Sequence, residues 1–458
     1  MKELLKKAST IASAIASQEE ILIVTHIDAD GITSGSIAHI ALERFGIENR
    51  MKFVKQLDED EIEKIKDENV FVWFTDIGSG QIEMFDELEF AITDHHVPQA
   101  THPMQLNPHE FGYDGTFELS GATTTFLVAK YMTRKGTLFD FANGNSDLVP
   151  LAIVGAVGDL QDSKWGRLQG LNRTIIEEGL KLGYLDVRKD LRFFGKQTRP
   201  VAKMLEYNSD PFLPGITGNE RGVLDLLSEL KIDPWLRWID LTIEEKRRVV
   251  SAIIGIAMDC RIPYTSILRI VGESYILLHE EEGTEKRDAM EFSTLLNATA
   301  RYGEAEIGLG VCLGDEEAYK RARTLLQNHR RNLSNGIKFV NENGIEELKH
   351  IQYFHAGSNI PDTIVGIVAG MCHHKGNRQK PIIAFAESDR GVKVSARATH
   401  LLVERGVHLA KALKKAAEAV GGVGGGHSVA AGATIPEGME MEFLRILDEI
   451  VGRQLGKS

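Results

Sequence analysis

The stretch Ile21-Leu22-Ile23-Val24-Thr25-His26-Ile27-Asp28-Ala29-Asp30-Gly31 decides how the chain is read. Its first four residues are an apolar run of strand length, and residues 31–45 carry a helical pattern. A histidine and two aspartates stand where the strand hands over to the helix. In open α/β sheets, ligands bind beyond the carboxyl ends of the strands. The order x-His-x-Asp-x-Asp would turn every second side chain to one side of an extended chain. Gly31 lets the backbone turn into the helix. One Asp before a helix is a common N-cap; His26, Asp28 and Asp30 together ask for more than capping.

Working outward, residues 51–55, 71–74 and 90–93 read as three more strands, with helical stretches at 59–68 and 81–88 between them. This alternation predicts a mostly parallel sheet with right-handed crossovers. Residues 121–131 and 147–159 read as further helices, the second buried on most sides. From 185 to 290 the rhythm changes. Pro200, Pro211 and Pro214 interrupt it, 244–256 is helical, and 264–270 with 274–279 suggest a small hairpin. We expect an inserted, mainly helical module here. Residues 315–341 form a long helical stretch bearing Arg321, Arg323, Arg330 and Arg331, either a solvated connector or a substrate-facing helix. Apolar runs return from Ile351, at 366–369, 381–385 and 392–394. They point to a second, smaller α/β domain closed by a glycine-rich loop and a helix from Met439. The expected limits are 1–189 for the first α/β domain, 190–290 for the insert, 291–345 for the end of the core with its connector helix, and 346–458 for the last domain.

A length of 458 residues exceeds what one core usually holds, in keeping with two or three domains. The formal charge of −13 argues against gripping duplex DNA with the whole surface. It does not argue against a site built from carboxylates, which is acidic by necessity. Cys260, Cys312 and Cys372 stand alone with no CxxC pair, so neither a zinc ribbon nor a disulfide framework is indicated, in keeping with a reducing cytoplasm. Residues 1–18 are too polar for a signal peptide, and no apolar run reaches the roughly 18 residues a membrane helix needs. Cys372-His373-His374 reads as a helix end rather than a second metal site, because no further ligands lie nearby in sequence.

Three more segments place acidic or imidazole groups after apolar elements. Asp76 follows the strand 71–74. Thr93-Asp94-His95-His96 follows the strand 90–93. Asp159 ends the apolar helix containing Gly155-Ala156-Val157-Gly158. Adjacent histidines point apart in a regular strand, so we expect one of His95 and His96 to be a ligand and the other to face substrate. Asp94 could fix the tautomer of a neighbouring histidine. A buried carboxylate such as Asp159 needs a partner, and a divalent cation is one. Five aspartates and three histidines in one domain suit Mn²⁺, Mg²⁺ or Co²⁺. Two such ions, about 3.5–4 Å apart, would activate water and clamp a phosphoryl oxygen. Asp76, between the two groups in strand order, is the expected bridge.

In order and spacing, Asp28-Ala29-Asp30-Gly31, Asp76, Asp94-His95-His96 and Gly155–Asp159 resemble the four motifs of the DHH phosphoesterases. The resemblance implies two divalent metal ions, Mn²⁺ foremost, one held by His26, Asp28 and Asp76 and the other by Asp30, Asp76, His95 and Asp159. His96 would contact the scissile phosphate. Leu296-Asn297-Ala298-Thr299-Ala300-Arg301 looks like the stretch ending the RecJ catalytic core, which implies substrate roles for Asn297 and Arg301. Gly366-Ile367-Val368-Ala369 resembles a helix of the associated DHHA1 domain. Val394-Ser395-Ala396-Arg397 and Gly425-Gly426-His427 resemble its substrate-binding motifs. Ser395 and Arg397, two apart on a strand, can share a face and grip a phosphate, and the glycines 421–426 free backbone N–H groups for an anion.

The nearest resemblance is to archaeal RecJ-like nucleases. It implies a metal-dependent exonuclease on single-stranded DNA or RNA, running 5′ to 3′, with in-line attack on phosphorus and Arg397 and His427 neutralising the developing charge. By position alone, the 190–290 insert would dock onto replication partners such as GINS and the replicative helicase. Two alternatives stand beside this. Small-substrate relatives cleave short oligoribonucleotides, cyclic dinucleotides or phosphoadenosine phosphate, and are usually shorter. A replicative-helicase scaffold with little catalytic role is the other.

Overall fold

The structure is a computed structural model and describes residues 1–132, 144–208 and 210–456, without the side chains of His374 and His400. It divides into two units, Met1–Leu325 and Leu326–Ser458.

The first unit opens with α1 (Lys2–Ile15), whose buried face of Leu4, Ala8, Ile11, Ala12 and Ile15 follows helical spacing. Then come β1 (Glu20–His26), α2 (Ala29–Phe45), β2 (Glu48–Val54), α3 (Glu59–Lys66), β3 (Phe71–Thr75), β4 (Phe90–Thr93) and the short β5 (Gln105–Leu106). All five strands are parallel, in the order β2-β1-β3-β4-β5. The order reverses between β1 and β3, which opens a crevice there at the carboxyl ends of the strands. The near-continuous apolar runs of β1 and β3 are explained by burial on both sheet faces. Residues 81–88 are no helix: they make one tight turn, Ile82–Met84. Glu87 sits in the left-handed region at φ 73°, and Phe85 turns in to stack on Phe74 at 4.5 Å, so the apolar residues fill the core without helical spacing.

Helices α4 (Gly121–Ala129) and α5 (Val149–Gly158) are buried around their circumference and pack on α2. α6 (Leu171–Leu182) leads to β6 (Leu185–Leu191). The insert follows, with α7 (Val201–Glu206), α8 (Glu220–Glu229), α9 (Ile243–Asp259) and α10 (Tyr264–Ile267). Its own core includes Phe193, Leu205, Leu227, Trp238, Val249 and Ile253. The expected hairpin of 264–270 with 274–279 is not formed. Pro263 starts the short helix α10, its carbonyl accepting from the N–H groups of Ser266 and Ile267. The following strand β7 (Val271–Leu277) pairs antiparallel with β6, a strand the local pattern did not show. The insert is therefore mainly helical, as expected, but hangs from a long-range ribbon. α11 (Ala289–Arg301) returns to pack on α2 and α5, followed by α12 (Ala305–Cys312) and the long α13 (Glu316–Asn343), which carries the chain from one unit into the next.

The second unit adds β8 (Glu346–Glu347), β9 (Gln352–His355), α14 (Asp362–Cys372), β10 (Ile382–Ser388), β11 (Gly391–Arg397), α15 (His400–Glu404), α16 (Leu409–Ala419), β12 (Val423–Gly426), β13 (Ala430–Ile435) and α17 (Glu440–Leu455). They build a mixed sheet in the order β12-β13-β11-β10-β9-β8. The stretch expected to be a glycine-rich loop is largely this sheet's edge strand, β12, held by antiparallel pairing to β13. Cys372 and His373 do end a helix. Cys372 is buried, and the His373 ring bonds the Lys380 carbonyl at 2.7 Å. The side chain of His374 lies outside the described residues. Among those residues, no helix is long and apolar enough to cross a membrane.

Candidate metal centre

The extended His-x-Asp-x-Asp alternation is not what gathers the first motif. β1 stops at His26, Asp28 caps α2, and Asp30 lies in its first turn. Asp28 divides its oxygens: Oδ1 accepts from the Gly31 N–H at 3.0 Å, while Oδ2 lies 3.0 Å from His26 Nδ1. Capping and a ligand's orientation are thus compatible in one carboxylate. Gly31 is required by close approach. A Cβ there would lie 2.1 Å from the His26 carbonyl oxygen.

Asp76 follows β3 with φ 59°, a left-handed conformation uncommon outside glycine, fixed by its N–H donating to the Thr93 carbonyl. The strained backbone turns the carboxylate between two groups. Its Oδ2 lies 3.9 Å from His26 Nδ1 and its Oδ1 3.3 Å from His95 Nε2. Gly121 makes room, since a Cβ there would lie 2.3 Å from Asp76 Oδ1. Asp30 sits at the amino end of α4, accepting from Ser120 Oγ and from the Gly121 and Ala122 N–H groups at 2.7–2.9 Å. A helix N-terminus favours negative charge there.

His95 joins the second group. Its Nε2 is 3.7 Å from Asp30 Oδ2, and its Nδ1 is 3.7 Å from Asp159 Oδ2. Its Nδ1 donates to the Gly115 carbonyl at 2.7 Å, which leaves Nε2 as the ring atom facing Asp30 and Asp76. Gln161 Nε2 bridges the same carbonyl and Asp159 Oδ2, at 2.8 and 3.0 Å. Neither Gly115 nor Gln161 was marked by the sequence, because a loop carbonyl and a lone amide carry no motif. Asp94 is fully buried and accepts from Ser79, His95 and His96 N–H groups and from His96 Nδ1 at 2.8 Å. It orients His96, whose ring is exposed and lies 4.4 Å from that of His95.

The electrostatics show a pocket with more negative charge than its own atoms can neutralise. Burial, then Asp30 and Asp28, push the Asp76 carboxyl well above its ordinary range, and burial with Asp28 raises Asp30. Burial, then Asp30 and Asp28, carry Asp159 up to about 7. Burial alone would lower His95, but Asp159, Asp30 and Asp94 carry it up to about 9. Hydrogen bonding to Asp94 lifts His96 to about 9. Although desolvation opposes it, His26 and the Gly31 N–H hold Asp28 below the usual carboxylate range. Asp76 Oδ1 is buried and accepts no hydrogen bond among the described residues. Among the described residues, three metal-capable groups result, and they overlap: His26-Asp28-Asp76, Asp30-His95-Asp159, and Asp76-Asp94-His95-His96. An unsatisfied buried carboxylate oxygen, flanked on both sides by imidazole and carboxylate donors, fits a pair of hard divalent cations. Exposure is graded, with Asp30 and Asp76 at 2% and Asp159 and His26 at 30%, so the pocket opens on the His26, Asp28, His96 and Asp159 side.

Asn297 and Arg301 reach this pocket from α11. Asn297 Oδ1 accepts from the Ala29 N–H at 3.0 Å, tying α11 to the turn between Asp28 and Asp30, and Arg301 has Asp28 as its charged neighbour.

The DHH family N-terminal domain matches residues 20–153, the DHH-CID domain 193–271 and the DHHA1 domain 349–453. An uncharacterised protein of Methanocaldococcus jannaschii is 33% identical over 475 aligned positions, covering 99% of this chain and 100% of that one. The chain belongs to the DHH/DHHA1 superfamily. In this DHH chain the matched insert falls almost wholly between β6 and β7. Solved structures that share the fold include a RecJ and a Cdc45. RecJ of Thermus thermophilus, in complex with Mn²⁺, is 17% identical with a TM-score of 0.60 over 99% of this chain, which spans 55% of that one. Cdc45 of Entamoeba histolytica is 11% identical with a TM-score of 0.66 over 98% of both chains.

In the DHHA1 unit, sheet register gathers the remaining candidates at one corner. Ser395 lies across from Gly432, which lies across from Gly425; Arg397 lies across from Ala430, whose carbonyl accepts from the His427 N–H. Gly366 of α14 leaves space under this corner, where a Cβ would lie 2.6 Å from the Arg397 guanidinium and 3.0 Å from Ser395 Oγ. This explains the small residue in Gly366–Ala369.

Proposed function

We propose that this chain is a metal-dependent exonuclease that hydrolyses phosphodiester bonds of single-stranded DNA from the 5′ end, with RNA as a second substrate. The observation that carries this reading is the placement of Asp76, one carboxylate oxygen facing His26 and the other His95, at the switch point of the sheet. His26, Asp28 and Asp76 would hold one Mn²⁺, and Asp30, Asp76, His95 and Asp159 the other. Bound there, the pair would supply an activated water and charge neutralisation at a phosphoryl oxygen.

The chain's own residues do the rest. His96, held by Asp94 through Nδ1, presents its exposed ring to a phosphate oxygen at the open side of the pocket. Arg301 adds positive charge beside Asp28. Asn297 fixes the turn that carries Asp28 and Asp30. Ser395, Arg397, Gly425, Gly426 and His427 hold the strand's backbone, Arg397 as a fork and the glycines through N–H groups.

The fold shared with Cdc45 favours a second reading, in which the chain serves a replicative helicase and binds GINS through the insert, with hydrolysis secondary. Digestion of 5′- and 3′-labelled single-stranded DNA and RNA in Mn²⁺, by wild type and Asp76→Ala, tests both. A ladder from the 5′ end of DNA that vanishes in the variant supports the exonuclease. Cleavage restricted to di- to pentanucleotides makes it a small-substrate phosphodiesterase. No cleavage of any substrate overturns the hydrolytic reading and leaves the scaffold.

A further inference from the structure

Beyond the ligands lies a surface that the reaction so far does not use. Residues 160–167 read Leu160-Gln161-Asp162-Ser163-Lys164-Trp165-Gly166-Arg167, directly after Asp159. Leu160 is 66% exposed and Trp165 47%, and Lys164 and Arg167 are exposed on either side of Trp165 in sequence. The Lys164 ammonium stands over two rings, 4.6 Å from the Trp165 centroid and 4.8 Å from that of Phe117, and the two rings meet edge to face at 5.2 Å.

This shelf is built, not loose. Gly166 O accepts from the Glu273 N–H at 2.8 Å, and the Leu168 N–H donates to Tyr275 Oη at 2.7 Å, which fix the backbone on both sides of the indole. It is also tied to the metal centre from two directions. Phe117 is two positions beyond Gly115, whose carbonyl orients His95, and Trp165 is four positions beyond Gln161, which bonds that carbonyl and Asp159. Four residues span at most about 14 Å, which bounds how far the Trp165 backbone lies from that of Gln161. An exposed indole under a lysine ammonium, in a chain of charge −13, is poorly explained as solvated surface. Aromatic faces that stack bases, with cations for the backbone, are how single strands are held without sequence preference.

We propose that Trp165, braced by Phe117 and flanked by Lys164 and Arg167, is a stacking platform for a base of the single strand, next to the phosphate seated at the metal centre. The cation over the ring marks the place: Lys164 leaves the indole face for a strand phosphate when the base arrives. The proposal rests on the strand-hydrolysing reading above.

The test is fluorescence in a Trp235→Phe background, which leaves Trp165 as the exposed indole, since Trp73 and Trp238 are buried. The probe is a phosphorothioate oligothymidylate, with an abasic oligomer of equal length as control and anisotropy as the independent measure of binding. Stacking predicts quenching by the oligothymidylate and none by the abasic strand. Trp165→Ala is expected to weaken oligothymidylate binding about 5- to 100-fold, with most of the loss restored in Trp165→Phe. Equal binding by Trp165→Ala, at an unchanged unfolding midpoint, overturns the platform while leaving the strand reading intact. No binding of any oligomer by the wild type overturns both.

Discussion

The metal-capable pocket of the first unit and the Ser395–Arg397–His427 corner of the second are both assembled from distant segments, but from opposite materials. The pocket gathers carboxylates at the ends of β1, β3 and α5, buries several, and leaves an Asp76 oxygen without a donor among the described residues. The corner offers a hydroxyl and one guanidinium on the interior strand β11, near the glycines of the edge strand β12. A buried carboxylate is costly without a cation; a hydrogen-bonded sheet edge is stable by itself. The first arrangement makes sense only with its ligands bound, whereas the second is complete without them. Charge should therefore dominate every response of the pocket, and geometry and salt those of the corner.

The largest expected difference is in turnover. Asp76→Ala removes a group shared by both clusters and is expected to lower kcat on the order of 10³-fold or more. Arg397→Ala is expected to act mainly on KM, raising it about 10-fold for a charge-assisted phosphate contact. Steady-state kinetics on one oligonucleotide checks both, and an equal kcat effect from the two variants would break the comparison.

Metal removal comes next. In the ion-free protein Asp159 titrates near 7 and His95 near 9, both above their unfolded values. A folded state that holds more protons than the unfolded one loses stability as pH rises. The chelated protein should thus lose stability from about pH 4 to 9, through Asp159 in the lower part of that range and His95 in the upper. Mn²⁺ must displace the same protons, so its affinity should rise over that range. The gap in Tm between Mn²⁺-loaded and chelated protein, worth about 2.7 kcal/mol at a hundredfold excess over Kd, should widen with pH. A gap constant from about pH 5.5 to 8.5 would contradict the pocket's electrostatics.

A finer distinction lies in salt. Arg397→Ala should reduce the slope of log affinity against log salt by about 0.7, one phosphate contact on a single strand, whereas Asn297→Ala should leave that slope alone. The smallest effect is expected from Asn297→Ala itself. Losing the acceptor for the Ala29 N–H should cost about 1 kcal/mol, read as a Tm lower by about 2–4 °C.

The candidate ligands were legible because each follows an apolar run, a strand buried on both faces or, for Asp159, a buried helix. His95 and His96 differ in exposure, one ring buried among carboxylates and the other exposed beside Asp94, but the chain has left β4 and the two rings lie 4.4 Å apart in one metal-capable group. What sequence could not show was pairing at long range. β6 and β7 carry no strong alternation, and their register is set by contacts across the whole insert. Asn297 read as a substrate group, yet its oxygen is spent on a backbone N–H that no pattern could forecast. Lys164-Trp165-Gly166-Arg167 was visible as letters, but its bearing on the site depends on Gln161 and Gly115, which only the folded chain brings together.

The ribbon of β6 and β7 has one more consequence. Leu191 and Val271, where the chain departs into the insert and comes back, are facing partners in an antiparallel ladder. Two such ends can be joined by a two-residue turn. The insert thus occupies the position of a hairpin tip, and a lineage could enlarge, exchange or shed it as a cassette without re-registering the sheet that carries the chemistry.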